Sequence, residues 1–543
     1  MCRHLFSLFV FCSLSLLASL AYAEGAGQKD LDEAADLQVG AETLADFEKV
    51  ISLAESAIKK GLDKGQEQFA HKMAAATLYQ HAERSAKAVL EVPRNFQWQL
   101  VRQIALKNLD RAKKHDPKLP DVYLLVARLH AEVQDGDEKV AKENIDEAIK
   151  LLKDHPAELA KAYILRGRMV DDLDAKLENF DAAVKADPNN VLALQARAIV
   201  YIQKGENEKS LADLTKLLEA DGDNLEALVA VTAVLMELKK YDEALAFAEK
   251  MTKLQPPRPV GYIFRAQLHA VKNKTQEALA DLDKAIEIDP RNVRALLLRS
   301  RLHSMLGNKE KADKDVEAAL KFEPGGEEAV FTRSMIHAQN KQFAKAIADI
   351  KLLLHSDPKN ESYRVQLAMY LVGDKRPRKA IEILTNVIDD NDKNEEALQL
   401  RGDALLSVGK HADAVADYEK ALKIDPKDTG VLNNLAWVLA TSKDDKVRDA
   451  KKSIEYGKQA CELTEYKKPH ILSTLASGYA EAGDFETAIK WSTKAVELGK
   501  GTENDDQLHK ELEGYKEKKP WREEQIIEEN KAPLEPGKDD LET

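Results

Sequence analysis

The chain has 543 residues and a net charge of -13, with 44% hydrophobic and 32% charged residues. This balance is too apolar for a disordered polymer, and too acidic to draw nucleic acid or an anionic membrane through a global field. The length allows several domains or one elongated array.

The chain begins "MCRHLFSLFVFCSLSLLASLAYA", with Arg3, an apolar run from Leu5 to Ala21, and Ala21-Tyr22-Ala23 ahead of Glu24. A basic start, an apolar stretch and a small-residue site predict a secretory signal over 1–23, cut after Ala23. The alternative is an uncleaved membrane anchor, for which the run is at the lower edge of spanning length. Cleavage removes Cys2 and Cys12 and leaves Cys461 alone, so the mature chain forms no internal disulfide. An exported protein, periplasmic or secreted, is then held together by packing. No later segment is apolar enough to span a bilayer.

Residues 24–41 read as a linker. Residues 42–119 carry helical periodicity, as in "LADFEKVISLAESAIKKGL", and read as degenerate or capping copies of the units that follow. Beyond them an internal repeat emerges. Pro188, Pro290, Pro324, Pro358 and Pro426 fall at multiples of 34 residues, and Gly222, Pro256 and Asp392 occupy the intervening slots. Each unit reads as two amphipathic helices. In "EEALQLRGDALLSVGKHADAVADYEKALKIDP" apolar residues recur at helical spacing, Gly409 turns the chain, and Pro426 stops the second helix. Small residues (Gly402, Ala414, Ala421; Ala266, Ala278, Ala285) mark close helix approaches.

These features resemble the tetratricopeptide-repeat (TPR) family. Gly402, Ala414, Tyr418, Ala421 and Pro426 fill its repeat positions 8, 20, 24, 27 and 32, and Ala476, Tyr479, Ala488 and Ala495 fit the last unit. The resemblance implies an all-α, right-handed superhelical solenoid of about eleven helix-turn-helix units over 120–501, with a concave groove lined by each first helix. A C-terminal capping helix and extension would occupy 502–530, and a disordered tail 531–543. The order of parts also resembles a group of exported bacterial repeat proteins.

In repeat register, Arg197, Arg265, Arg299, Arg333 and Arg401 share position 7, while Asp213, Asp281, Asp315, Asp349 and Asp417 share position 23. Units lacking the arginine also lack the aspartate: Val231 goes with Phe247, Leu367 with Ile383, Leu435 with Tyr456, and Leu475 with Trp491. Structural ion pairs across two packed helices explain this joint exchange, because an apolar pair replaces both charges and a lone buried charge is costly.

Little else suggests catalysis. Phosphate loops, H-E-x-x-H and G-x-S-x-G are absent, and no carboxylate pair stands out as an acid/base couple. His269, His303 and His337 share position 11, yet first helices about 8–10 Å apart cannot bring all three to one ion. They read as packing residues, as does Cys461. No catalytic residue, metal or cofactor is expected.

Members of the resembled family bind peptides on the inner face of the first helix, at positions 2, 5, 9, 12 and 13. Here position 5 carries Val229, Ile263, Leu297, Phe331 and Val365; position 9 carries Met335, Met369 and Trp437; Met236 and Met305 lie at 12 and 13. These form a candidate apolar strip for a partner protein or peptide. The competing reading packs them against the next unit. The insertion at 441–451, within "ATSKDDKVRDAKKS", is a second candidate, because loops that break an array often carry function. The expected function is an exported, non-enzymatic scaffold binding envelope or extracellular proteins. A non-catalytic subunit or assembly factor of an envelope complex is the alternative. N-acetylglucosamine transferases also begin with such repeats, but no room remains here for their catalytic domain.

Overall fold

A computed structural model of the chain describes residues 26–90, 98–133, 135–502, 504–523 and 529–530. The expected signal (1–23) and tail (531–543) lie outside these residues. Among the described residues there are 27 helices and no strand. They fall into two compact units that divide between Pro256 and Pro257.

The first unit begins with α1 (Gln28–Gly40), α2 (Leu44–Lys60), α3 (Lys64–Leu90) and α4 (Trp98–His115). Four hairpins follow: α5 (Pro120–Ala131) with α6 (Glu138–Leu151), α7 (Pro156–Arg168) with α8 (Leu173–Ala186), α9 (Val191–Gln203) with α10 (Asn207–Ala220), and α11 (Leu225–Glu237) with α12 (Tyr241–Thr252). The segment read as a linker is corrected here, since most of it is α1. Leu31 and Ala34 are buried against Val50, Ala54 and Ala57, and Asp30 accepts hydrogen bonds from Ser56 and Lys60 at 2.6 Å. One turn-spaced apolar pair suffices to dock a short helix whose other faces are polar, a pattern that resembles a linker in sequence.

The second unit holds seven hairpins: α13 (Pro259–Val271) with α14 (Thr275–Ile288), α15 (Val293–Met305) with α16 (Lys309–Phe322), α17 (Glu327–Gln339) with α18 (Phe343–Ser356), α19 (Glu361–Gly373) with α20 (Pro377–Asp390), α21 (Glu395–Ser407) with α22 (His411–Ile424), α23 (Thr429–Thr441) with α24 (Ala450–Leu463), and α25 (Pro469–Glu481) with α26 (Phe485–Gly499). The terminal α27 (Asp505–Lys516) buries Leu508, Leu512 and Tyr515. Within this unit successive first helices pack on each other, as α15 on α17, α19 on α21 and α23 on α25. The first-helix side is therefore the inner face.

The periodic sequence signals have local physical roles. Asn190, Asn224, Asn292, Asn360 and Asn394 close each "D-P-x-N"-like turn and accept the backbone N–H of the third residue of the next helix, at 2.9–3.1 Å. Between helices of a hairpin, a left-handed residue (Gly205, Lys239, Asn273, Gly307, Lys341, Lys375, Gly409 or Gly483) turns the chain. Helix contact depends on paired sizes. A Cβ on Gly402 would lie 2.6 Å from the Tyr418 ring, whereas the preceding hairpin packs Ala368 with Leu384 at the same two register positions.

Candidate functional site

The position-7 arginines face the position-23 aspartates of their own hairpins. In all five pairs (Arg197–Asp213, Arg265–Asp281, Arg299–Asp315, Arg333–Asp349, Arg401–Asp417) Nε and Nη2 donate to the two carboxylate oxygens at 2.6–3.1 Å. This fork-to-fork geometry satisfies a carboxylate that has left water. Asp315 retains only 5% of its exposure, and its hydrogen bonds hold the Arg299 guanidinium still more firmly protonated against the opposing effect of burial.

Sequence register did not disclose the remaining arm. Nη1 of Arg197, Arg299 and Arg333 reaches back to Asp181, Asp283 and Glu317 on the preceding hairpin, at 2.8, 2.7 and 3.4 Å, and Nη1 of Arg401 reaches Thr385 at 3.1 Å. Each acceptor lies 16 residues before its arginine, so the spacing was available as a signal. Each of these arginines ties two consecutive hairpins together. Arg166 repeats the theme out of register, donating to Asn179 at 2.6 Å and Asp146 at 2.9 Å.

The histidine column sits above these pairs. His269 Nε2 lies 3.7 Å from Asp281 and His337 Nε2 lies 3.8 Å from Asp349, each within its own hairpin. The Nδ1 atoms of His269 and His303 are buried without a hydrogen-bond partner. Burial lowers the pKa of His303, which favours the neutral ring. Cys461 is fully buried, and burial pushes its thiol pKa up to about 12.

The inner strip divides by burial. Leu297, Ile263 and Val365 are 0%, 4% and 3% exposed, so their assignment as partner contacts is corrected. Leu297 packs among Leu296, Val316, Ala329 and Ile336, Ile263 among Ala266, Ala295 and Leu302, and Val365 among Val330, Leu398 and neighbours. Position 5 points at the next hairpin, whose own apolar face closes over it. Phe331 is half-buried, with its ring 5.8 Å from that of Tyr363. In the first unit Val229 and Met236 are also half-buried. Met335 and Met369 at position 9 face solvent instead. Met335 and Met369, on successive first helices, are 45% and 41% exposed, and Met305 at position 13 is 74% exposed. Asp403 interrupts the strip one hairpin later. It accepts from Tyr418 at 2.5 Å and Asn434 at 2.9 Å, and burial raises its pKa.

Trp437, also at position 9, is already occupied. Its Nε1 donates to Glu523, in the segment that follows α27. Arg522 donates to Glu481 at 2.6 Å, and Glu481 accepts at 2.8 Å from Arg448 of the insertion. The insertion and the C-terminal segment, separate features in sequence, therefore meet at one carboxylate. No helix among the described residues is long and apolar enough to cross a membrane.

Two family models match parts of the chain. Residues 359–501 match the family described as tetratricopeptide repeat, and residues 173–342 match the family described as ETO1 C-terminal domain. Over 62 residues, 11% of this chain, it is 39% identical to DnaJ homolog subfamily C member 3 of Bos taurus, and the match spans 12% of that protein's length. A tetratricopeptide repeat protein from Parabacteroides merdae ATCC 43184 aligns over 46% of this chain and 98% of its own, with 17% identity and a TM-score of 0.39. A chain of the APC/C hetero-tetramer Cut9-Hcn1 aligns over 90% of both chains, with 15% identity and a TM-score of 0.42. With helical hairpins recurring every 34 residues and the family model matched there, residues 359–501 are tetratricopeptide repeats.

Proposed function

We propose that this protein is an exported, non-enzymatic scaffold that holds a partner protein or peptide of the cell envelope or extracellular space on the inner face of its second unit. The observation that carries this reading is the exposure of Met335 and Met369 at one register position on successive first helices, with Met305 one hairpin before them. Exposed methionines offer flexible, polarizable apolar surface that adapts to varied side chains. A strip repeated along packed helices suits a long segment better than a small molecule.

Affinity capture by the full chain from its own envelope fraction tests the reading. The control is Met335→Glu/Met369→Glu, which changes two exposed side chains and spares the core. Loss of the captured partners is expected, and identical capture by both chains would reject the strip as the binding surface. Export is tested separately, by sequencing the amino terminus of the purified protein. Cleavage after Ala23 is expected, whereas an intact terminus in the membrane pellet rejects it.

A further inference from the structure

The last carbonyls of a helix lack partners within it. In eight hairpins of the 34-residue register, the first helix closes this gap with a left-handed residue at the same register position, from Gly205 to Gly483. The hairpin of α23 and α24 differs. Its insertion puts an extended residue, Ser442, after the helix (φ -53, ψ 137), and no left-handed residue follows. Two carbonyls are still served locally: Val438 by the Ser442 N–H at 3.1 Å, and Leu439 by the Asp449 N–H at 2.9 Å. The next two depend on residues some eighty positions away. Ala440 accepts from Arg522 Nη1 and Thr441 from the Glu523 N–H, both at 3.3 Å.

The segment around 521–523 thus lies on an open helix end as an extended peptide ligand would. It offers a main-chain N–H and a cation where α23 presents free carbonyls and the negative end of its dipole. The surroundings add side-chain recognition. Glu481, held by Arg448, takes the arginine, and the Trp437 indole N–H takes the carboxylate of Glu523. The resident is imperfect: Trp521 Nε1 is buried without an acceptor, which weakens its hold. Its indole packs against the buried Ala476, Ala480, Ala488 and Tyr515, so the site also holds an apolar seat for an aromatic side chain.

We propose that the C-terminal end of α23, with Trp437 and Glu481, is a docking site for an extended partner segment carrying an aromatic, a basic and an acidic residue in succession, and that residues 521–523 are its resident competitor. This extends the reading of the chain as a protein-binding scaffold, on a surface distinct from the methionine strip.

The test uses the full chain and a fluorescent peptide copying residues 517–523, followed by anisotropy. Releasing the resident with Trp521→Ala/Arg522→Ala/Glu523→Ala removes an intramolecular competitor. The peptide is then expected to bind that chain about tenfold tighter than the wild type, because a larger fraction of sites is open. Adding Glu481→Gln to the released chain should cost about tenfold, the loss of one charge-assisted contact. Equal affinity for wild-type and released chains, no binding to the released chain, or indifference to Glu481→Gln would each overturn the proposal. A measurement on the wild type needs no variant: the Glu523 amide should exchange with solvent faster than the amides of α27. Exchange as slow as that of α27 would mark the segment as a fixed cap and overturn the proposal. Failure of the Met335/Met369 capture experiment would leave these outcomes unaffected.

Discussion

Replacing Arg299 by valine should expose how the repeats are held. Asp315 is 5% exposed and both its oxygens receive Arg299, at 2.7 Å. Valine leaves that carboxylate buried with no guanidinium, and breaking a buried pair in this way costs roughly 3–5 kcal/mol. The reverse change is milder. In Asp315→Phe the arginine keeps Asp283 at 2.7 Å, and its side chain is 22% exposed, so water reaches it. Loss of charge-assisted hydrogen bonds alone should cost roughly 1.5–3 kcal/mol. The double change Arg299→Val/Asp315→Phe copies the Val231/Phe247 combination of another hairpin and leaves only Asp283 without its partner. Since Asp283 is 64% exposed, water solvates it, and most stability should return. Urea melts combined with hydrogen exchange at the α15 and α16 amides measure both the total and the local loss, which matters because long repeat arrays need not unfold in one step. A double variant no more stable than Arg299→Val, or an Asp315→Phe loss exceeding that of Arg299→Val, would refute the reasoning.

Three further outcomes are expected. Gly402→Ala drives a Cβ to 2.6 Å from the fully buried Tyr418 ring and should cost roughly 1–3 kcal/mol in the same melt, while Gly402→Ala/Tyr418→Leu should recover only part of it, because Asp403 then loses the Tyr418 hydroxyl. His81 is buried between Asn108, which donates to Nδ1 at 2.9 Å, and Glu48, 3.6 Å from Nε2. Burial lowers its pKa below 6.5 against the pull of Glu48. The unfolded chain therefore takes up this proton first as pH falls through 6.5, so His81 costs no stability above that value and an increasing amount below it, until its lowered folded pKa is reached. An imidazole titration by NMR with a midpoint at or above 6.5 would contradict this. Cys461 should resist iodoacetamide in the folded chain and react promptly in denaturant, because burial both hides the thiol and raises its pKa to about 12. Equal rates in the two states would show that the thiol is accessible.

The repeat was legible in the sequence because its signals are local and recur. Helical periodicity, the prolines that end second helices and the 16-residue spacing from arginine to aspartate each need only one hairpin to operate. The joint exchange of Arg and Asp for apolar residues was readable for the same reason, since two antiparallel helices bring those positions together in every copy. Leu297 and Met335 could not be told apart in this way. Both are apolar residues on a first helix, yet Leu297 is closed off by the next hairpin and Met335 is not. Burial there depends on a neighbour's rotation, which a single helix does not encode.

The sequence by itself determined the all-α repeat fold and the partners of the core arginines, because contacts at fixed short separations leave a periodic mark. Only the tertiary structure decided which apolar residues remain exposed and that most of residues 24–41 packs as a helix. It also decided that Arg448, Glu481 and Arg522 converge at the open end of α23. Those contacts span up to 82 residues and occur once, so no period records them; they follow from where the chain returns after its last helix.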